Sequence, residues 1–162
     1  SLENRFNVAS CGLLGFEIDF TKCTDADMET MRIQTEFYKE HRRLLQFGKY
    51  QKVESGFDSR RAVWMVLGKD EAIAVVVSLK NKICCQCEPF LLGGLEGRAM
   101  YEVKMRQQSN VANMPSFQAT GSFLCQAGLS LGNLFDEESD RTENSNSIAS
   151  RMFYLRKIKE PR

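Results

Sequence analysis

Along the first fifty residues the apolar positions change their period. Phe16, Ile18 and Phe20 alternate with Glu17 and Asp19, a repeat of two that sends successive side chains to opposite faces and predicts a strand over residues 16–20. Gly12 and Gly15 precede it, as suits a turn or a close backbone approach. The repeat then becomes helical. Met28, Met31, Thr35, Tyr38 and Leu45 fall near one face, with Phe37 and Leu44 beside it. Thr24 with Asp27 three residues on forms a capping-box pattern, and Asp25 and Asp27 suit the positive end of the helix dipole. Lys39, His41, Arg42 and Arg43 load the far end with positive charge, and Gly48 stands where a C-cap glycine belongs. The expected helix therefore covers Asp25 to Phe47. A strand–helix unit without parallel neighbours is half a motif, so this region reads as the tail of something larger.

Beyond Gly48 no second long helical period follows. Residues 61–67, RAVWMVL, and 72–79, AIAVVVSL, are nearly continuous apolar runs separated by Gly68, Lys69 and Asp70. They predict a hairpin whose strands are buried on both faces or nearly so. Gly93 to Gly97 mark another turn. Tyr101, Val103 and Met105 alternate with Glu102, Lys104 and Arg106, as in a half-exposed strand. Residues 122–131 and 151–158 are further strand candidates. Short strands separated by glycine-rich turns predict an antiparallel β-sandwich. The polar, acidic stretch 133–150 reads as a long loop or insertion. The fold class is thus mainly β: an antiparallel sandwich preceded by one strand and one long helix.

Charge narrows the function classes. The chain has 162 residues, 22 basic and 21 acidic side chains and a net charge of +1, so it lacks the electrostatic footprint of a nucleic-acid binder. No apolar run approaches the roughly 20 residues of a membrane span. The opening SLENRFNVAS has no basic region followed by an apolar core, so no secretory leader is expected and a cytoplasmic setting is. It also lacks an initiator Met, as a trimmed piece would. Six cysteines, Cys11, Cys23, Cys84, Cys85, Cys87 and Cys125, invite a metal reading. Zinc sites favour ligand pairs at defined spacing. Here Cys84, Cys85 and Cys87 are adjacent or one apart, and the one histidine, His41, lies on the distant helix. Free, reduced thiols are the expectation, with no metal and no cofactor.

Several blocks carry a family resemblance. Arg5, Asn7-Val8-Ala9, Gly12, Leu14-Gly15-Phe16-Glu17-Ile18-Asp19 and Thr21-Lys22 are followed by the long block from Phe37 through His41 to Gly48. Ala62 to Val66, Gly94-Leu95, Tyr101-Glu102-Val103, Ala127-Gly128-Leu129 and Ser150 to Phe153 with Leu155 continue it in order. Together they resemble the C-terminal end of the microbial α-galactosidases (melibiases) of glycoside hydrolase family 36. Ser122, Phe123, Cys125 and Gln126 depart from that pattern, and Cys84 to Cys87 have no counterpart in it.

The resemblance implies a retaining glycosidase whose nucleophile and acid/base, both Asp, lie upstream of the matching segment. Residues 1–47 would be the last strand and helix of a (β/α)8 barrel, and 48–162 a C-terminal antiparallel β-domain packed on it. It implies a non-catalytic portion, inactive alone, whose partner is the upstream barrel and which meets α-galactosides only through the parent enzyme. Phe37, Tyr38, His41, Arg42 and Leu45 would then form the interdomain contact, since they mix aromatic, basic and apolar groups. A severed tail would also leave apolar faces exposed and tend to self-associate into homo-oligomers.

Three other readings rest on the residues themselves. Glu17 and Asp19, two apart on a strand, would hold their Cα atoms ~6.5 Å apart, not far from the ~5–5.5 Å carboxyl separation of retaining glycosidases. Both would approach from one side, however, whereas the reaction needs them to flank the scissile bond. Trp64 could stack on a sugar, but its apolar neighbours favour a core position. An autonomous carbohydrate-binding sandwich remains the alternative function. It would fold alone and line aromatics along one exposed face.

Overall fold

The computed structural model describes residues 1–57, 61–78, 89–108, 114–130 and 148–158. Six strands form: β1 (Lys49–Glu54), β2 (Arg61–Leu67), β3 (Glu71–Ser78), β4 (Met100–Met105), β5 (Phe117–Thr120) and β6 (Ala149–Lys157); β1 and β5, which are short and partly polar, are not among the strands that the apolar pattern predicts. They form one sheet in the order β1-β2-β3-β6-β4-β5, with every neighbouring pair antiparallel. β2 and β3 make the expected hairpin, closed where the Gly68 N–H donates to the Glu71 carbonyl at 2.8 Å. The last strand in sequence lies at the centre, between β3 and β4.

Central strands must be apolar on both faces, and β3 is buried from Ala72 to Val77. Its alternate side chains feed two cores. Ala72, Ala74 and Val76 join Val63, Met65, Val103, Phe153 and Leu155 on one face, covered by Phe90, Leu92, Leu124 and Leu129. Ile73, Val75 and Val77 join Val66 and Met152 on the other, covered by Phe6, Tyr38, Leu44 and Leu45 from two helices. Those helices are α1 (Leu2–Ala9) and α2 (Asp25–Phe47). The molecule is mainly β and antiparallel, as its pattern indicates. Among the described residues, the layer facing the sheet on each side is helix or coil, not a second sheet.

α2 has the bounds that its pattern predicts. Thr24 Oγ1 accepts from the Asp27 N–H at 3.2 Å, and Asp27 Oδ2 accepts from the Thr24 N–H at 3.0 Å, completing the capping box. Met31, Gln34, Tyr38, His41, Leu44 and Leu45 are its buried residues, whereas Met28 is exposed. The basic groups end at Arg43, so none lies in the last turn. Gly48 does end the helix, but at φ −68°, a conformation open to any residue. It is required by space: a Cβ there would lie 2.6 Å from both the Leu44 carbonyl oxygen and Val66 Cγ1.

Two expected strands are not strands. Residues 16–20 pair with nothing among the described residues, and residues 13–18 make no backbone–backbone hydrogen bond there. Alternation prepares a strand, but a ladder partner must supply the bonds. The stretch instead ends in a 3₁₀ turn, Phe20–Lys22, capped by Asp19. The candidate over 122–131 is occupied by α3 (Gly121–Gln126), whose start is set by Thr120 Oγ1 accepting from the Phe123 N–H at 3.2 Å. Gly128, at φ +76°, turns the chain out of it, and Leu129 bridges to Phe90. α1 was not foreseen: it is one short helix capped by Ser1. Cys84, Cys85, Cys87 and most of the 133–150 stretch lie outside the described residues.

Candidate functional site

The chemistry of this chain gathers at the seam where α1 and α2 cross the sheet. Tyr38 reaches back from α2 to hold the irregular stretch after α1. Its O–H donates to the Gly12 carbonyl at 2.6 Å, and its oxygen accepts from Gln46 Nε2 at 2.7 Å and from the Leu14 N–H at 3.3 Å. One turn along, the His41 ring lies between two aromatics, 4.5 Å from Phe37 and 4.4 Å from Tyr154 of β6. Burial lowers the His41 pKa, against the opposing pull of Glu40 and Glu71. His41 therefore packs as a neutral ring and does not serve as the helix-end cation. Tyr154 donates its O–H to Glu71 Oε2 at 2.9 Å. Burial and that carboxylate push its pKa up to about 12.

A polar network fastens α1. Arg106, just past β4, is buried and pairs with Glu3 at 2.5 Å. Its Nε and Nη2 donate to Asn7 Oδ1 at 3.2 and 3.0 Å. The guanidinium carbon lies 4.7 Å from the centre of the Phe6 ring, a cation–π arrangement. Gln34 of α2 donates to the same Glu3 carboxylate at 3.0 Å. Asn7 Nδ2 donates to Ser150 Oγ at 2.9 Å, and Ser150 Oγ donates to Asn4 Oδ1 at 2.7 Å. One network thus ties α1 to α2, to the end of β4 and to β6. Each buried charge has a partner, which is what burial of charge demands. Sequence inspection missed this site because Glu3 and Arg106 are 103 positions apart. The one signal was an arginine closing an otherwise alternating strand.

Of the residues expected at the contact, Phe37, Tyr38, His41 and Leu45 lie on the sheet side of α2, while Arg42 is exposed. Leu44 joins the same core. Glu17 and Asp19 do not form a facing pair. Both are exposed, and Asp19 Oδ1 accepts from the Thr21 N–H at 3.1 Å and from Thr21 Oγ1 at 2.6 Å. Thr21 and then Lys22 hold its carboxyl below the usual carboxylate range. Trp64 packs against the helix-side core and donates Nε1–H to Cys11 Sγ at 3.1 Å. Burial pushes the Cys11 thiol up, with partial relief from that bond. Among the described residues no three His, Cys, Asp or Glu side chains are grouped to hold a metal ion. No described helix is long and apolar enough to cross a membrane.

Apolar side chains also remain uncovered. Val8, Leu13, Phe20, Met28 and Ile33 are exposed, Leu13 at 87% of its full surface. At the other end of the seam an open cleft of about 1040 Å³ runs between the last turn of α2, the β2–β3 turn and the end of β6.

Known proteins share this arrangement. The Melibiase family profile matches residues 1–48. Alpha-galactosidase AgaA of Geobacillus stearothermophilus is 34% identical over 106 residues, 64% of this chain and 14% of that protein. Alpha-galactosidase 1 of Pediococcus pentosaceus is 34% identical over 104 residues, 63% of this chain and 14% of that protein. Among solved structures, the family 36 α-galactosidase AgaB of G. stearothermophilus superposes on 98% of the chain with a TM-score of 0.78 at 27% identity, using 19% of its own length. The α-galactosidase of Lactobacillus brevis covers the whole chain, 100%, with a TM-score of 0.83 at 26% identity, again using 21% of its own length. The chain therefore spans about a seventh to a fifth of the length of these relatives.

Proposed function

We propose, from the premise that this chain is a fragment of a glycoside hydrolase family 36 α-galactosidase, that it is the C-terminal, non-catalytic portion of such an enzyme. Its work is to brace the catalytic barrel, while the barrel releases terminal α-galactose from galacto-oligosaccharides. The reading rests on one observation above the others. Half of the large exposed apolar side chains among the described residues, Val8, Leu13, Phe20, Met28, Ile33 and Phe47, lie in the family match, residues 1–48, which is under a third of the chain. There the period-two stretch 16–20 has no ladder partner among the described residues, and Val8, Leu13, Phe20, Met28 and Ile33 stand in solvent. A neighbouring strand and apolar cover from the rest of the polypeptide would complete both. The Arg106–Glu3 network then holds α1, and with it the join to the barrel, in register with the sheet.

Retaining hydrolysis needs two carboxyl groups facing each other across the sugar, about 5–5.5 Å apart. Glu17 is exposed and Asp19 is committed to capping its own turn, so neither suits that role. The purified chain is expected to leave an aryl α-galactoside intact, and to restore turnover when co-expressed with the upstream portion of its own polypeptide. Turnover by the chain alone, surviving a check for contaminating full-length enzyme, would reject the proposal.

A further inference from the structure

The open cleft at the far end of the seam has the chemistry of a ligand site. Its floor is a row of three charged side chains on adjacent strands. Arg156 of β6 is registered against Glu71 of β3 on one side and Glu102 of β4 on the other. Directly opposite residues share a face, here the face that carries Tyr154 and the helices. The pitch of the row is the interstrand spacing, about 4.8 Å. α2 stops short of covering it, because Gly48 turns the chain into β1. Arg43 and Phe47 from the last turns of α2 form one wall, and Lys69 and Asp70 of the β2–β3 turn the other. Phe47 is 82% exposed.

We propose that this cleft binds a neutral saccharide. Three features select that class. The first is charge balance. Arg43, Lys69, Arg156 and Lys157 line it with Asp70, Glu71 and Glu102; Lys157 is engaged by Glu96 at 2.5 Å and Glu102 by Lys104 at 3.0 Å, so both signs are present and balance to within one charge. An anion would meet the carboxylates and a cation the guanidinium and ammonium groups, so neither gains much. The second is the mixture of functions. Carboxylates accept and guanidinium groups donate, and neighbouring sugar hydroxyls do both, so a row of acceptor, donor and acceptor suits a polyol. Arg43, Lys69 and Arg156 make no ion pair among the described residues, so their donors stay open to a ligand. The third is the aromatic lip. An apolar ligand would strand the charged floor without hydrogen bonds, whereas a sugar ring offers C–H faces to Phe47 and hydroxyl edges to the row. The cleft volume, about 1040 Å³, lies just above the ~300–1,000 Å³ typical of small-molecule sites.

Only the choice of a galactose-ended probe rests on the proposed parent activity; the saccharide class follows from the cleft. The test is calorimetric and NMR titration of the 162-residue chain with melibiose, and separately with inorganic phosphate. Melibiose should bind saturably with a millimolar constant. Phe47→Ala and Asp70→Asn should each weaken it about tenfold without lowering the melting temperature, because both positions lie on the cleft rim. Phe57→Ala, an exposed aromatic outside the cleft, should leave binding unchanged. No saturable melibiose binding, binding untouched by both rim variants, or phosphate saturating the same site more tightly would each overturn the proposal. Binding is read without turnover. Failed reconstitution with the upstream portion would therefore leave this result standing, and absent binding would leave that test standing.

Discussion

The sheet and the stretch that precedes α2 both carry regularly placed apolar positions, and they meet opposite fates. β3 alternates between two cores, and Ala72 to Val77 are all buried, with ladders to β2 on one side and β6 on the other. Residues 16–20 alternate apolar with acidic positions, yet Phe20 stands in solvent, as does Leu13 before them, and no strand pairs with them among the described residues. Periodicity states which faces a segment could bury. Whether it buries them depends on partners that the local pattern does not contain. The sheet has its partners within this chain, whereas among the described residues the early stretch is held by Tyr38, by the turn at Asp19 and by Leu14 against the helix-side core. The difference marks the sheet as the stabilising half and the early stretch as the half held by fewer contacts.

The sharpest way to break that contrast is to remove mass from the sheet. Phe153 is buried beside Phe90, with ring centroids 6.0 Å apart. Phe153→Ala should cost about 3–5 kcal/mol, read as a fall in the denaturant midpoint at unchanged slope. An equal slope with no fall would place Phe153 outside the cooperative core. Next in size is the network between the halves. Glu3→Gln keeps the shape of the side chain but leaves Arg106 as a buried charge without its counterion. That change should cost about 3 kcal/mol and should release α1 first, visible as faster amide exchange over Leu2–Ala9. Uniform exchange across the chain would show that the halves unfold as one.

Acid should loosen the seam by a smaller amount. Burial lowers the pKa of His41 in the folded chain, so the unfolded chain takes up a proton more readily. Stability from this group is full above the unfolded pKa of about 6.5. It is lost as pH falls through that value toward the lower folded one. Glu40 and Glu71 oppose the shift and shrink it. His41→Phe, which keeps a ring between Phe37 and Tyr154, should flatten the melting temperature between pH 7 and pH 5. An unchanged slope in the variant would assign the acid response elsewhere. The smallest effect belongs to the exposed stretch: Leu13→Ser should alter the stability of the chain by less than about 0.5 kcal/mol. In the reconstitution assay the same change should weaken assembly with the upstream portion, and equal assembly would detach Leu13 from any covered surface.

Much of the secondary structure could be read along the chain because its causes are local. The capping box at Thr24 and Asp27 and the run of one-sided apolar positions mark α2 within a few residues of each boundary. β2, β3 and β4 follow from apolar runs and a three-residue turn in the same way. The family likeness came from the same ordered residues. Other features depended on distance in the sequence and had no local cause. β6, last in the chain, sits beside β3 because both need apolar neighbours on two faces and an antiparallel ladder. Arg106 meets Glu3 only because β4 and α1 converge at one end of the sheet. Arg156 lies between Glu71 and Glu102 only because three distant strands share a register. Side-chain pattern acts over a few residues, whereas burial and pairing are settled by whichever segments fold against each other.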